Sequence, residues 1–229
     1  MKHHVQFDIE FRKNPYKGIY IAFEGIDGAG KTTQTEILKK YLEKKRIEVI
    51  LTKEPTQNQQ IGNLIHDFIK GRVKFPAVSL QYLFAADREI HQKSLIEPNL
   101  KKGKIVISDR CFWSSVAYGV LDKMENHQKL DNSKILLVSQ SILSMYHQFI
   151  APDATFYIDI SEDVAIARIS KMKKKNEYYE TAEKLKNIKS GYDWLLKEFP
   201  NDIAIINGNR SVEIVAKEII KKLNLRFKI

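Results

Sequence analysis

The sequence predicts an α/β fold in which one parallel sheet of five strands is flanked by helices on both faces. Two observations carry that expectation. Short runs rich in Ile, Val, Phe and Tyr, bounded by Gly, Pro, Asp or Asn, alternate along the chain with longer stretches of helical periodicity. The short runs are apolar throughout, the pattern of strands buried on both faces, and parallel βαβ sheets require that cover. No internal repeat and no low-complexity linker interrupts the alternation, so one domain is expected over residues 19–229.

The elements follow in order. In residues 1–18, Val5, Phe7, Ile9 and Phe11 alternate with polar neighbours, as an extra edge strand would, and Asn14-Pro15 marks a turn into the core. Ile19–Phe23 is the first strand, Lys31–Lys45 the first helix and Val49–Thr52 the second strand. Helices are expected over Ile61–Lys70 and Ala77–Leu100, followed by a strand at Ile105–Ser108. A helix over Asn132–Phe149 leads to the strand Thr155–Ile160. Val164–Lys174 and Tyr179–Phe199 read as helices, Ala204–Ile206 as the last strand and Val212–Leu223 as the last helix. In that helix Val212, Val215, Ala216, Ile219, Ile220 and Leu223 share one face, with lysines opposite.

Composition narrows the class. Of 229 residues, 43% are hydrophobic and 29% charged, ordinary for a globular protein and too apolar for a disordered one. Thirty-eight Lys and Arg against 28 Asp and Glu leave a net charge of +10, which favours polyanionic partners. Cys111 is the only cysteine, so neither an intramolecular disulfide nor a cysteine zinc cluster can form. No apolar run approaches the ~18 residues of a membrane span. Residues 1–11 also lack the apolar core of a secretory signal. A cytoplasmic setting without a membrane partner is expected. The lysine pairs are scattered over many helices without an RNA or DNA module, so nucleic acid is not the expected partner.

The chemistry starts after the first strand. Gly25-Ile26-Asp27-Gly28-Ala29-Gly30-Lys31-Thr32 fits G-x-x-x-x-G-K-[ST]. Its glycines let the backbone curl until successive N–H groups point inward, forming an anion nest at a helix N-terminus. In such a loop Lys31 reaches the β- and γ-phosphates and the Thr32 hydroxyl ligates Mg²⁺. The third strand ends in Asp109, the placement of an acid that holds Mg²⁺ through water. Arg110, next to it, is poised to grip a second anion in the crevice.

The stretch Phe23–Gln34 resembles the opening motif of thymidylate (dTMP) kinases, and further matches follow in the right order. Lys53-Glu54-Pro55 resembles the family's [RK]-E-P, and Phe84-Ala85-Ala86-Asp87-Arg88 its F-x-A-x-R. Asp109-Arg110 with Ser114, Ala117 and Tyr118 resembles D-R-[YH]-x-x-S-x-x-A-[YF], and Glu177-Tyr178-Tyr179-Glu180 is similar to the end of the family's lid. The resemblance implies the three-layer α/β/α P-loop kinase fold with a short helical lid, and residues 19–229 as a nucleoside monophosphate kinase domain. It implies transfer of the γ-phosphoryl of ATP to dTMP, with ATP and dTMP as the small-molecule partners, Mg²⁺ as cofactor and a homodimer packed through helices.

Residue roles follow from the resemblance. Gly25, Gly28, Ala29, Gly30, Lys31, Thr32, Thr33 and Arg168 hold ATP, and the topology expected of the fold puts the adenine between Arg168 and the loop 207–210. Lys53, Arg88 and Arg110 supply fixed cations for the acceptor phosphate, and arginine forks fix its geometry as well as its charge. Phe84, one helical turn before Arg88, offers an aromatic face to a pyrimidine. Asp27 takes the acceptor sugar's 3′-hydroxyl, and Tyr118 crowds the 2′ position. Glu54, Pro55, Ser114, Ser115 and Tyr179 complete the substrate site, and Thr32, Asp109 and Glu54 are the expected metal ligands. Family members carry a catalytic arginine in the lid or the loop; here Gly28 and Ala29 occupy the loop and no arginine lies between Lys171 and Lys189. A lid lysine within 171–175, Lys171 or Lys174, is expected to substitute.

The chain also departs from the family. Cys111 stands for Tyr or His, Gly119 for Gln, Thr56 for a Gly after E-P, and Tyr178 for a lid arginine; Trp113 is bulky beside the expected acceptor pocket. Three other readings stay open on sequence. A deoxynucleoside kinase would use a glutamate placed like Glu24 as base on a sugar hydroxyl. A monophosphate kinase could prefer dUMP, UMP or dCMP. A non-catalytic binder of ATP or nucleic acid would be prompted by the charge.

Overall fold

Apolar residues run unbroken through β1 (Ile19–Glu24) because the strand lies in the middle of the sheet, and all but its first residue is buried. In this computed structural model, which describes residues 10–124, 132–171 and 181–229, five parallel strands are ordered β2-β3-β1-β4-β5. Here β2 is Val49–Lys53, β3 Ile105–Asp109, β4 Ala154–Asp159 and β5 Ile203–Asn207. β1 pairs with β3 from Ile19↔Ile105 to Phe23↔Asp109 and with β4 from Ile21↔Ala154 to Glu24↔Tyr157. The edge strands β2 and β5 are the less buried ones, as their mixed composition requires. With β3 on one side of β1 and β4 on the other, the connection order reverses at β1. A crevice therefore opens beyond the carboxyl ends of the central strands. The loops after β1, β2 and β3 converge there.

Between the strands lie α1 (Lys31–Lys44), α2 (Gln60–Ile69), α3 (Ala77–His91), α4 (Glu97–Lys101), α5 (Phe112–Met124), α6 (Asn132–Tyr146), α7 (Glu162–Lys171), α8 (Ala182–Glu198) and α9 (Val212–Phe227). α1 packs against α9, and α5 packs against α3, α6 and α8. Ser211 caps α9, its hydroxyl accepting the Ile214 N–H. The single helix expected over 77–100 is interrupted by a π-helical turn at Gln92–Ile96. Pro98 in the first turn of α4 supplies the reason, since it lacks an N–H and its ring presses on the preceding turn.

Sequence periodicity does not reveal α5. Residues 112–119 are all buried, so this stretch has no exposed face to alternate with a buried one. Its spacing from α8 is set by Gly191, where a Cβ would come within 2.7 Å of the Ala117 Cα and carbonyl oxygen. Ahead of the sheet, Arg12 forms a single parallel bridge to Ile150, and the Phe11 ring lies 5.3 Å from Phe112 and 5.4 Å from Trp113. Val5, Phe7 and Ile9 lie outside the described residues.

Candidate active site

The loop between β1 and α1 is curled by Gly25 and Gly28, whose φ angles of 144° and 81° disfavour any side chain. A Cβ at Gly28 would also sit 2.8 Å from the Ala165 carbonyl oxygen, so α7 abuts the loop directly. Gly30 is the N-cap of α1 and offers no side-chain cap, which leaves the helix's first N–H groups turned to the crevice. Lys31 Nζ donates to the Gly25 and Ile26 carbonyls, both at 3.0 Å. Burial, reinforced by the charge of Arg110, pushes the Lys31 ammonium down to about 8.

Thr32 Oγ1 donates to Asp109 Oδ2 at 2.6 Å, linking α1 to the end of β3. Asp109 Oδ1 is buried and has no hydrogen-bond partner among the described residues. A hydroxyl and a carboxylate with one oxygen uncompensated are hard donors that suit a hydrated Mg²⁺. Glu54 does not join them. Its Oε2 accepts Arg88 Nε at 2.5 Å and its Oε1 accepts His91 Nδ1 at 2.9 Å, so both oxygens are taken. Burial alone would raise the Glu54 pKa, but the Arg88 charge and the His91 hydrogen bond hold it below the usual carboxylate value. The expectation of Glu54 as a metal ligand gives way to a carboxylate that orients Arg88.

Arg110 follows Asp109 in the left-handed region, with φ at 80°, a conformation uncommon for any residue but glycine and concentrated at functional sites. The turn aims its fork across the crevice. Nη1 donates to the Gly25 carbonyl (3.2 Å) and Ser114 Oγ (3.1 Å), while Nη2 donates to Asp27 Oδ1 (2.6 Å) and Tyr118 OH (2.8 Å). Burial works to raise the Asp27 pKa, but Arg110 and Lys31 outweigh it and hold the carboxyl below its ordinary range. Beneath Arg110, the buried Glu24 accepts the Cys111 N–H (2.9 Å), the Ser114 N–H (3.2 Å), Ser114 Oγ (2.6 Å) and Tyr192 OH (2.7 Å). It also accepts Cys111 Sγ–H at 3.3 Å. Glu24 thereby caps α5 from a distant strand.

One cleft is walled by Asp27, Lys53, Phe84, Arg88, Arg110 and Tyr118, and Glu54, Pro55, Ser114 and Ser115 reach it as well. The i, i+4 spacing puts the Arg88 guanidinium 5.2 Å from the Phe84 ring centroid, and Arg88 Nη1 donates to Ser115 Oγ (2.5 Å) and Tyr146 OH (3.2 Å). A second cleft runs along Gly28, Ala29, Gly30 and Thr33 to Arg168 and Arg210. Arg168 donates to the Gly28, Ala29 and Gly208 carbonyls, so the loop 207–210 and the phosphate loop share one wall.

Most residues singled out by sequence converge on these two clefts. Lys171 is exposed at the end of α7; Lys174, Tyr178 and Tyr179 lie outside the described residues. Trp113 is not a pocket residue: it is buried against Phe112 and Phe199. At Gly119 a Cβ would meet Ile142 Cδ1 at 2.2 Å, so an apolar side chain fills that space. Thr56 is fastened by Asp87, which accepts its N–H at 2.9 Å and its hydroxyl at 2.5 Å. Sequence reasoning missed His91, Asp87, Tyr146 and Tyr192. Their one common signal, a polar group on the buried face of a helix, is shared by residues with no part in a site.

Fold and site together define a P-loop kinase, with a phosphate loop at the switch point of a parallel sheet and an arginine-walled cleft beside it. A family model described as thymidylate kinase matches residues 23–219. The chain belongs to the thymidylate kinase family. A protein of Thermococcus gammatolerans named "Probable thymidylate kinase" is 35% identical over 213 residues, covering 89% of this chain and 94% of that protein. The thymidylate kinase of Clostridium novyi is 34% identical over 89% of this chain and 97% of its own length. The solved structure of thymidylate kinase from Candida albicans shares the fold, with a TM-score of 0.75 and 24% identity, over 91% of this chain and 93% of that one. The family implies ATP as phosphate donor and nucleotides as substrates.

Proposed function

We propose that this chain transfers the γ-phosphoryl of ATP to dTMP, giving dTDP and ADP. The observation that carries this reading is the position of Asp27. It belongs to the phosphate loop and yet lines the arginine-walled cleft, so an anion on the loop faces an anion in the cleft. ATP lies along Gly25, Gly28–Thr33 and Arg168, with its base toward Gly208 and Arg210. dTMP enters the other cleft with its pyrimidine against Phe84. Arg88, neutralised by Glu54, offers directed N–H groups more than net charge. Lys53, exposed at the end of β2, adds a further cation.

The acceptor phosphate needs no general base, since its second pKa of about 6 leaves it nucleophilic at neutral pH. Catalysis is positioning and electrostatics. Arg110 holds the acceptor while anchored to Gly25, Asp27 and Ser114, and Lys31 moves from the loop carbonyls to the transferring phosphoryl. Thr32 and Asp109 are the residues to hold Mg²⁺, which when bound neutralises and orients the β- and γ-phosphates. Asp27 takes the sugar 3′-hydroxyl and Tyr118 disfavours a 2′-hydroxyl. Lys171 or Lys174 supplies the cation that the family's arginine would bring to the phosphates.

The deoxynucleoside kinase reading fares worse, because every acceptor position of Glu24 is spent on α5 and Tyr192. We propose a cytoplasmic homodimer, with the exposed Tyr82 and Ile90 of α3 offering apolar surface to a second copy. No helix among the described residues is long and apolar enough to cross a membrane. ADP release across dTMP, dUMP, UMP, dCMP and thymidine tests the reaction, and light scattering tests the dimer. Turnover of thymidine in preference to dTMP would overturn the reading.

A further inference from the structure

We propose that His91 is a positioning residue for the acceptor nucleotide: its Nδ1–H fixes Glu54, and Glu54 fixes the Arg88 guanidinium at the wall of the acceptor cleft. This rests on the reading of that cleft given above. His91 lies three residues after Arg88 on α3, so the two side chains share one helical face. It is 2% exposed. Its Nδ1 meets Glu54 Oε1 at 2.9 Å and its Nε2 meets Thr52 Oγ1 at 2.7 Å. A carboxylate only accepts, so a ring proton sits on Nδ1, while Nε2 pairs with the Thr52 hydroxyl on the far side of the ring.

Glu54 divides its oxygens: one serves His91 and the other serves Arg88. Without the His91 donor, Oε1 would be a buried charged oxygen lacking a partner. The carboxylate would then swing toward Arg88 and recruit a second N–H. That N–H would come at the expense of Ser115 and Tyr146, which now accept Arg88 Nη1. The guanidinium would rotate on the Phe84 face, and the edge it shows to the cleft would change. A histidine that merely filled the core would have no such route to one substrate alone.

The chain of contacts gives a test that separates position from bulk. In His91→Asn the amide N–H reaches the place of Nδ1, whereas in His91→Gln it reaches the place of Nε2. Steady-state kinetics with ATP and dTMP, each varied against a saturating partner, should show His91→Asn within about threefold of wild type for KM of dTMP. His91→Gln should raise that KM about tenfold, the loss of one well-placed hydrogen bond, with kcat and KM of ATP within about threefold. Thr52→Val, which frees the far side of the ring, should raise KM of dTMP by a smaller factor. Equal effects of His91→Asn and His91→Gln, parallel changes in both KM values, or loss of ATP binding along with the fold would each overturn the proposal. Wild type that fails to turn over dTMP refutes the assigned reaction instead, and is seen before any variant is made.

Discussion

Arg110 Nη2 and Asp27 Oδ1 meet at 2.6 Å, joining the residue after β3 to the middle of the phosphate loop. The same fork touches Gly25, Ser114 and Tyr118, so one planar group with several fixed donors ties the phosphate loop to the arginine-walled cleft. A lysine carries the charge but cannot reproduce that fork. Arg110→Lys should therefore lower kcat/KM for dTMP by about 10²–10³-fold, the usual cost of a lost charge-stabilising donor. Binding of ATP alone, followed by calorimetry, should stay within a few fold. Comparable losses in both affinities would show that the fork only braces the fold.

Glu24 separates a scaffold from a base. Glu24→Ala strands the donors of Cys111, Ser114 and Tyr192 in the core and should cost about 3 kcal/mol or more, a fall in Tm of about 10 °C. Glu24→Gln keeps one oxygen for the α5 N–H groups, and its amide can donate to the hydroxyls of Ser114 and Tyr192, which rotate to accept. It should retain kcat within about tenfold, because no proton passes through it; a base would lose about 10²–10⁴-fold. Thermal unfolding and turnover, measured together, decide between them.

The fold was legible wherever an element had a face to show. All five strands fall within one or two residues of their expected spans, because short apolar runs ended by Asp, Asn or Gly have little choice of structure. α5 was hidden for the opposite reason: packed against α3, α6 and α8, it buries all of residues 112–119 and shows no exposed polar stripe there. The phosphate loop was readable because its geometry demands glycine and lysine at fixed spacing. The Arg88–Glu54–His91 chain was not, since it joins residues far apart in sequence through partners that burial alone selects. Trp113 shows the converse, a bulky residue near the motif whose direction only the aromatic packing around it reveals.

Lys31 gives the site a pH dependence with a definite sign. Its ammonium is pushed down from the ordinary 10.5 to about 8, first by burial and then by Arg110. An ATP polyanion placed beside it restores the charged form, so binding takes up a proton above pH ~8 and affinity falls about tenfold per pH unit there. Calorimetry in buffers of different ionisation enthalpy should detect that uptake at alkaline pH, and Lys31→Met should abolish it. Stability moves the other way. The folded pKa lies below the unfolded one, so the penalty of burying the ammonium is complete below about pH 8 and fades as pH rises toward 10.5. Uptake unchanged in Lys31→Met would assign the titration elsewhere.

Asp109 links the phosphate loop to the metal requirement. Oδ2 is held by Thr32, while Oδ1 is buried without a partner among the described residues, a cost the fold bears for some return. Asp109→Asn keeps the shape and an acceptor for Thr32 but removes the charge that favours a hydrated divalent cation. Half-saturating Mg²⁺ should rise about 10–100-fold, as for other losses of groups that orient a metal's ligands, with most of kcat recovered at high Mg²⁺. Thr32→Val should act in the same direction, since it deletes the hydroxyl ligand and the bond that orients Asp109. Stability should respond oppositely to the two changes. Asp109→Asn removes a buried carboxylate whose Oδ1 has no hydrogen-bond partner among the described residues and should hold or raise Tm, whereas Thr32→Val leaves that carboxylate with one donor fewer and should lower it. A Mg²⁺ requirement unmoved by Asp109→Asn would leave the buried carboxylate as a brace between β3 and α1.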